Sequence, residues 1–252
     1  MSRITWVLYA ARVPSSLPLF PLNTVLVPGL VMPLHIFEPR YRHMVSTLLD
    51  LPDDDDREFG IIAVREGRDV AREGLSALYP VGCATIIRQS EVRDDGRYDI
   101  VTIGSRRFRI LSTDTSMPLI TAEVDFLDDV DTADDLRLAR RAARAFRTYR
   151  AILGDRVSDE EDIEDTASAD VNSLDEESGD ADGIPDDPHV LSYLITAAMV
   201  LAMDERQTLL AAPTTAERLA LAWDLLRREC GMITALSALP VLEPLGPPPS
   251  AN

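Results

Sequence analysis

The sequence predicts an α+β fold, a β-rich N-terminal half joined to a helical C-terminal half. Three observations carry that prediction. Residues 17–41 hold five prolines among apolar residues, with no charged side chain except His35 before Glu38. Residues 59–126 break into short runs rich in β-branched and aromatic residues, separated by turn signals. From Thr132 onward the apolar positions recur every three and four residues, the period of an amphipathic helix.

Pro18, Pro21, Pro28 and Pro33 each remove a backbone donor and push the preceding residue away from helical geometry, so residues 17–37 cannot be a regular helix. The apolar pieces 19–20, 24–27 and 30–37 are expected as short bent strands, with Pro28-Gly29 turning between two of them. Pro39 then suits the first turn of a helix whose buried face is Tyr41, Met44, Val45 and Leu48. Further strands are expected at 59–64, 84–88, 98–103, 108–111 and 119–124, with Asp94-Asp95-Gly96 as a hairpin turn. The next helix is read as capped by Thr132, with Asp134 and Asp135 complementing its dipole. Its stripe is Leu136, Ala139, Ala143, Phe146, Arg150 and Leu153.

Asp187-Pro188 supplies a cap and a first-turn proline for a helix running to Met203. That helix is apolar on nearly every face and is expected at the centre of a bundle. Thr214 and Glu217 form a capping box for a last helix with the stripe Leu219, Trp223, Leu226 and Cys230.

The formal charge of -18 is concentrated. Residues 155–187 contain fifteen Asp and Glu against one Arg, and almost no large apolar side chains. Such a stretch cannot offset its ordering entropy by burial and is expected to be disordered. The resulting plan is a leader at 1–16, a β-rich subdomain at 17–128 and a connecting helix at 129–154. The acidic insert at 155–187, a helical bundle at 188–234 and a Pro-rich tail at 235–252 complete it. The leader reads as disordered rather than as a signal peptide, because its only basic residue ahead of the apolar run is Arg3. No apolar run approaches the ~20 residues of a membrane span, and a cytoplasmic location is expected. Cys83 and Cys230 both fall in apolar patterns and are expected as buried free thiols.

All 25 basic residues are arginine. Without lysine these residues cannot supply a P-loop lysine, a Ser-Lys peptidase dyad or a Schiff base. His35, His43 and His189 are scattered, no nucleophile elbow is present, and the Cys and His spacings match no zinc site. The acidic run at 53–56 lacks a calcium-loop pattern and reads as a solvated loop. Catalytic residues, metals and cofactors are therefore all expected to be none. Arg137, Arg140, Arg141, Arg144, Arg147 and Arg150 lie on one helix, where a solvated face is favoured over a nucleic-acid surface.

Three blocks resemble one family. Leu17-Pro18-Leu19-Phe20-Pro21-Leu22, the turn at 25–29, Pro33-Leu34-His35-Ile36-Phe37-Glu38 and Arg40-Tyr41 resemble the opening of the Lon protease N-terminal, or LON substrate-binding, domain. Residues 79–111, with Gly104, Arg107 and Phe108, resemble its second block. Residues 188–230 resemble its helical half, through Glu205-Arg206-Gln207, Leu209-Leu210 and Glu217-Arg218-Leu219.

The resemblance implies a PUA-like pseudobarrel followed by helices, in a stand-alone form without the ATPase and protease modules of Lon. It also implies a surface for unfolded or partly folded polypeptides, with a protease as a further partner. The absence of a long apolar run argues against a membrane partner, and the charge balance outside the insert against a nucleic-acid one. The contact residues the resemblance suggests are Phe20, Leu30, Met32, Phe37 and Tyr41, with Arg40 as a polar clamp. The competing reading is a small-molecule or nucleic-acid sensor built on the same barrel.

The purified 252-residue protein is expected to show no ATP-dependent cleavage of casein. Cleavage surviving removal of contaminating proteases would overturn that expectation.

Overall fold

The computed structural model describes residues 15–160 and 183–237. Residues 1–14, 161–182 and 238–252 lie outside the described residues, while residues 15–16 of the expected leader begin the first strand and residues 235–237 of the expected tail end the last helix. Six strands make one mixed sheet: β1 (Ser15–Leu22), β2 (Val31–Ile36), β3 (Glu58–Ala63), β4 (Val81–Val92), β5 (Tyr98–Asp114) and β6 (Thr121–Leu127). β1 runs parallel to β3 and antiparallel to β6. β6 pairs with the second half of β5, which pairs with β4, which returns to β3. These five strands close a ring, and β2 lies antiparallel on the first half of β5. The β half is thus a pseudobarrel.

One strand does double duty. β5 is 17 residues long and replaces the two separate runs expected at 98–103 and 108–111. Gly104 reads as a break in the sequence, yet it is a close-approach position inside the strand. A Cβ there would overlap the Val27 carbonyl, which crosses directly over it. The segment holding Val27 is correspondingly not the strand expected at 24–27. It is an irregular connection tied to β5 by Gly29 N–H to Gly104 O (2.8 Å) and Gly104 N–H to Leu30 O (3.0 Å). Register shifts in the β4–β5 and β5–β6 pairs add the coiling that a small ring needs.

Two apolar clusters fill the β half. In the first, α1 (Pro39–Leu49) buries Tyr41, Met44, Val45 and Leu48 beside Phe59, Ile61, Ile87 and Ile100, the face read from sequence. In the second, the Phe108 ring sits among Leu17, Leu19, Ile62, Ala84 and Val124. Its register partner is Gly82, where a Cβ would come within 2.5 Å of the Phe108 ring tip. The glycine clears the space that the ring occupies. A short α2 (Val70–Glu73) lies in the connection between β3 and β4.

The helical half is α3 (Asp135–Glu160), α4 (Pro188–Ala198), α5 (Met203–Ala211) and α6 (Thr215–Ser237). Ala139, Ala142, Ala143, Phe146 and Tyr149 of α3 pack with Leu191 and Ile195 of α4 and with Leu219, Ala222 and Leu226 of α6. Leu136 and Arg150, expected in the α3 stripe, are exposed, because the buried face runs one residue off that register through Ala142 and Tyr149. The start of α3 also differs. Thr132 donates from its backbone N–H (2.8 Å) and its hydroxyl (2.7 Å) to Asp135, so the acid binds the turn instead of the threonine capping the helix. α3 continues to Glu160, into the stretch read as an insert, and Ile184 near that stretch's other end is buried in the bundle. α4 stops at Ala198 instead of reaching Met203. Asp187 caps it as expected, accepting the His189 N–H at 2.8 Å, and Thr214 accepts the Glu217 N–H at 3.1 Å.

Phe108→Ala should destabilise the protein by ~3–5 kcal/mol, the usual cost of removing a fully buried Phe. Arg93→Ala, which removes an exposed pair with Asp99, should cost under ~1 kcal/mol. Urea unfolding of both variants checks this, and equal midpoints would show that Phe108 does not hold the barrel together.

Candidate functional site

The six residues expected at the binding surface do not form one surface. Phe20 and Tyr41 are buried, with ring centroids 4.2 Å apart in the core under α1. Their burial corrects the expectation that they face a ligand. Met32 is half-buried against the same core. Phe37 is 59% exposed, with its ring 6.2 Å from that of His35. Arg40 pairs with Glu38 (2.9 Å), lies over the Tyr41 ring and reaches the Pro118 carbonyl at 3.4 Å. Leu30 alone of the six lines a hollow at the junction of the two halves.

That junction is the most distinctive part of the molecule. A slot of about 330 Å³ lies between the 27–30 connection and one face of α4, lined by Val27, Leu30, Val190, Leu194 and Ala197. Val190, Leu194 and Ala197 are spaced at i, i+4 and i+7, so they share a face of the helix. Leu191 and Ile195, on the other side, enter the bundle core. The all-round apolar character of α4 therefore has two separate causes. One face is core, and the other opens on the slot, where Val190 remains 50% exposed.

The slot runs into a wider cleft of about 770 Å³, with which it shares Pro28, Ser105 and His189. Asp128, Asp129, Asp131 and Asp187 line this cleft, with Arg106 and Arg107 on the barrel side.

Beneath both hollows, charge is buried. Arg107 from β5 is 1% exposed and Arg218 from α6 is fully buried. Both guanidiniums donate to Asp129 Oδ1, at 2.7 Å and 2.5 Å. The Tyr193 hydroxyl donates to Asp129 Oδ2 at 2.7 Å, and His189 Nε2 lies 3.2 Å from the same oxygen. The arginines outnumber the carboxylate, and backbone carbonyls and the Ser192 hydroxyl take most of the remaining donors, while Arg107 Nε is left without a hydrogen-bond partner among the described residues. Arg107 reaches Leu210 O (2.9 Å) and Ala212 O (2.6 Å), while Arg218 reaches Leu209 O at 3.2 Å. These oxygens close the C-terminal end of α5, which has no basic residue of its own in its last turn. Two cations from elsewhere in the chain thus complement its dipole.

Burial works against the Asp129 charge. The Arg218 guanidinium, the Tyr193 hydroxyl and Arg107 outweigh it and hold the carboxyl below the usual carboxylate range. Burial pushes the Tyr193 phenol up, and it also pushes the Cys83 thiol up, so both stay neutral near neutral pH. Cys83 is buried as expected, whereas Cys230 is only half-buried.

Sequence reasoning missed this cluster. Arg107, Asp129, His189, Tyr193 and Arg218 are spread over three elements and one connection, and no short motif joins them. Periodicity gave no signal for Arg107, which is one of three arginines beside Phe108, with Arg106 and Arg109. His43 is exposed. His189, read as a surface residue, instead bridges the slot and the buried cluster. Along the arginine face of α3, Arg137 pairs with Asp134 at 3.0 Å and Arg141 lies over the Trp223 ring at 3.4 Å. Among the described residues no group of His, Cys, Asp or Glu is arranged to hold a metal ion, and no helix is long and apolar enough to cross a membrane.

Comparison with known proteins gives a consistent match. The ATP-dependent protease La (LON) substrate-binding domain matches residues 16–228. Lon protease 2 of Syntrophobacter fumaroxidans is 27% identical over 214 residues, which is 83% of this chain and 24% of that protein. Lon protease of Anaeromyxobacter dehalogenans is 26% identical over 143 residues, 56% of this chain and 16% of that protein. The chain thus spans about a quarter or less of these relatives.

Two solved structures share the fold. The Lon N-terminal domain protein from Xanthomonas campestris has a TM-score of 0.54 at 21% identity, covering 90% of this chain and 99% of that one. The N-terminal domain of Mycobacterium avium complex Lon protease has a TM-score of 0.58 at 18% identity, covering 84% and 98%.

Asp129→Asn leaves two buried guanidiniums without a carboxylate and should cost ~3–5 kcal/mol, whereas Asp134→Asn at the exposed start of α3 should cost under ~0.5 kcal/mol. Because the folded carboxyl titrates below its unfolded value of ~3.9, its stabilisation is complete above that pH and is lost as pH falls through the lower folded value. Denaturant unfolding between about pH 2 and pH 5 should show a steeper acid loss in the wild type than in Asp129→Asn. Parallel curves would show that Asp129 does not carry this linkage.

Proposed function

Because the chain belongs to the LON substrate-binding domain family, we propose that it is a polypeptide-binding module that holds exposed apolar segments at the junction of its barrel and bundle. The observation that carries this reading is the second apolar face of α4. Val190, Leu194 and Ala197 line a slot, with Leu194 and Ala197 partly buried at its floor and Val190 exposed, and that slot is also lined by Leu30, a residue of the opening block. A face of this kind costs solubility unless something binds it. Phe37 and Arg40 are outlying contacts on the same reading, for a segment long enough to reach them. The relatives are Lon proteases, and their name supports a module that presents segments to a protease. The 252 residues contain no lysine, so ATPase or Ser-Lys chemistry acting on a held segment comes from residues outside this sequence.

The sensor alternative has less support. The wider hollow is lined by more carboxylates than arginines, which disfavours phosphate-bearing ligands.

Fluorescence anisotropy with a labelled, permanently unfolded polypeptide tests the reading. Val190→Asp should weaken binding at least ~10-fold, since loss of a buried Val contact is worth ~1.5–3 kcal/mol. Its melting temperature should stay near that of the wild type, because Val190 is half exposed. Val92→Asp, at an exposed valine on the β4–β5 hairpin, serves as the control and should bind normally. No binding by the wild type, or equal binding by Val190→Asp, overturns the proposal.

A further inference from the structure

The apolar slot does not stand alone, and the charge beside it limits what can enter. We infer that the segments it takes pair an apolar side chain with a flanking lysine or arginine, the apolar group in the slot and the cation in the adjoining cleft. This rests on the polypeptide-binding reading above and names its substrate class.

The two hollows are continuous through Pro28, Ser105 and His189, so a chain whose side chain fills the slot runs on into the cleft. The slot offers no charged partner apart from His189 at its mouth. The cleft offers carboxylates, and their prior engagements decide which can meet a ligand. Asp129 is taken by Arg107, Arg218, Tyr193 and His189. Asp135 is taken by Thr132. On the basic side, Arg107 is buried in the cluster, while Arg106 pairs with Glu58 at 3.1 Å and lies over the Phe126 ring at 3.6 Å.

Asp128 has a partner of its own, which leaves two carboxylates of the cleft. Asp131 is exposed and makes no hydrogen bond or ion pair among the described residues. Asp187 is exposed, and among the described residues its side chain accepts only the His189 backbone N–H. Both line the cleft, and among the described residues that line it Arg106 and Arg107 are engaged elsewhere. An acidic segment would meet repulsion there, a neutral one would leave the carboxylates hydrated, and a basic one would pair with them.

These are rim charges, so they act through discrimination between ligands and through salt dependence more than through raw affinity. The apolar contact sets whether a segment binds, and the carboxylates set which segment binds better. Above ~0.5 M salt the Debye length falls to about 4 Å, and the preference should fade while the apolar contact persists.

Three labelled peptides of one length and one apolar core, flanked by lysine and arginine, by glutamine and serine, or by glutamate, test the inference by anisotropy at low and high salt. At low salt the basic peptide should bind roughly five- to tenfold more tightly than the neutral one, with the glutamate peptide weakest. Asp131→Asn combined with Asp187→Asn should abolish that preference while leaving the neutral peptide's affinity unchanged. Asparagine at 187 keeps the helix cap, so folding is preserved. Asp56→Asn combined with Asp94→Asn makes the same change in net charge at exposed sites elsewhere and should retain the preference.

Equal binding of basic and neutral peptides by the wild type overturns the inference and leaves the polypeptide-binding reading intact. So does a preference that survives the cleft double variant, or one lost equally in the control pair. Failure of all three peptides to bind overturns both.

Discussion

Two guanidiniums lie buried where the barrel meets the helices, and neither can shed its charge. A lysine in the same place could deprotonate, but an arginine stays protonated throughout the working pH range, so its surroundings must supply acceptors. Asp129 supplies one charge, and the last carbonyls of α5, with the Asp128 carbonyl and the Ser192 hydroxyl, supply further acceptors. This requirement fixes three things together: the connection after β6, the end of α5 and the first turns of α6. Moving any of them would strand a buried charge, at a cost comparable to much of the stability of a small protein. Gln207 adds a neutral link by donating to Val81 O at 2.8 Å, and Val25, Val27, Tyr79, Val81, Tyr193 and Leu210 seal the joint with apolar surface.

The same joint sets the geometry of the hollows. Asp129 is held from within, so its neighbours Asp128 and Asp131 are left at the cleft. Tyr193 is held by its hydroxyl, which fixes the rotation of α4 and turns Val190, Leu194 and Ala197 toward the 27–30 connection. Gly104 fixes that connection from the other side, because only a residue without a side chain lets the Val27 carbonyl cross β5 there. The slot is therefore bounded on both sides by positions that have little freedom. Its walls belong to different halves of the molecule, yet their separation is set by hydrogen bonds and close packing and not by a flexible loop.

Much of the architecture was legible in the sequence. Pro39 and the Tyr41, Met44, Val45, Leu48 spacing located α1, and Asp187-Pro188 located the start of α4. In both, a local rule and the tertiary packing demand the same thing. The failures came where a residue's role is set by a distant partner. Gly104 looked like a strand end because local preference cannot reveal a carbonyl passing over it from 77 positions away. Phe20 and Tyr41 looked available for ligand because aromatic residues near a proline-rich turn serve core and surface equally well. They are core because α1 folds back over the ring. Leu30 was read as a contact residue and lines the slot, but the wall opposite it comes from α4, whose apolar surplus read simply as burial. The charged cluster was the least legible of all, since its members obey no spacing.

The order in which these partners leave the ribosome suits the joint they build. Arg107 and Asp129 are 22 residues apart and belong to the β half, so they can neutralise each other early. Arg218 comes 89 residues after Asp129, on the last helix, and the α5 carbonyls that accept from Arg107 emerge only shortly before it. Until then the nascent barrel carries a balanced ion pair, and the second positive charge enters only together with the oxygens that tolerate it. Synthesis from the N-terminus thus delivers the sheet first as an electrically neutral platform, and the closing of the joint becomes the final event of assembly.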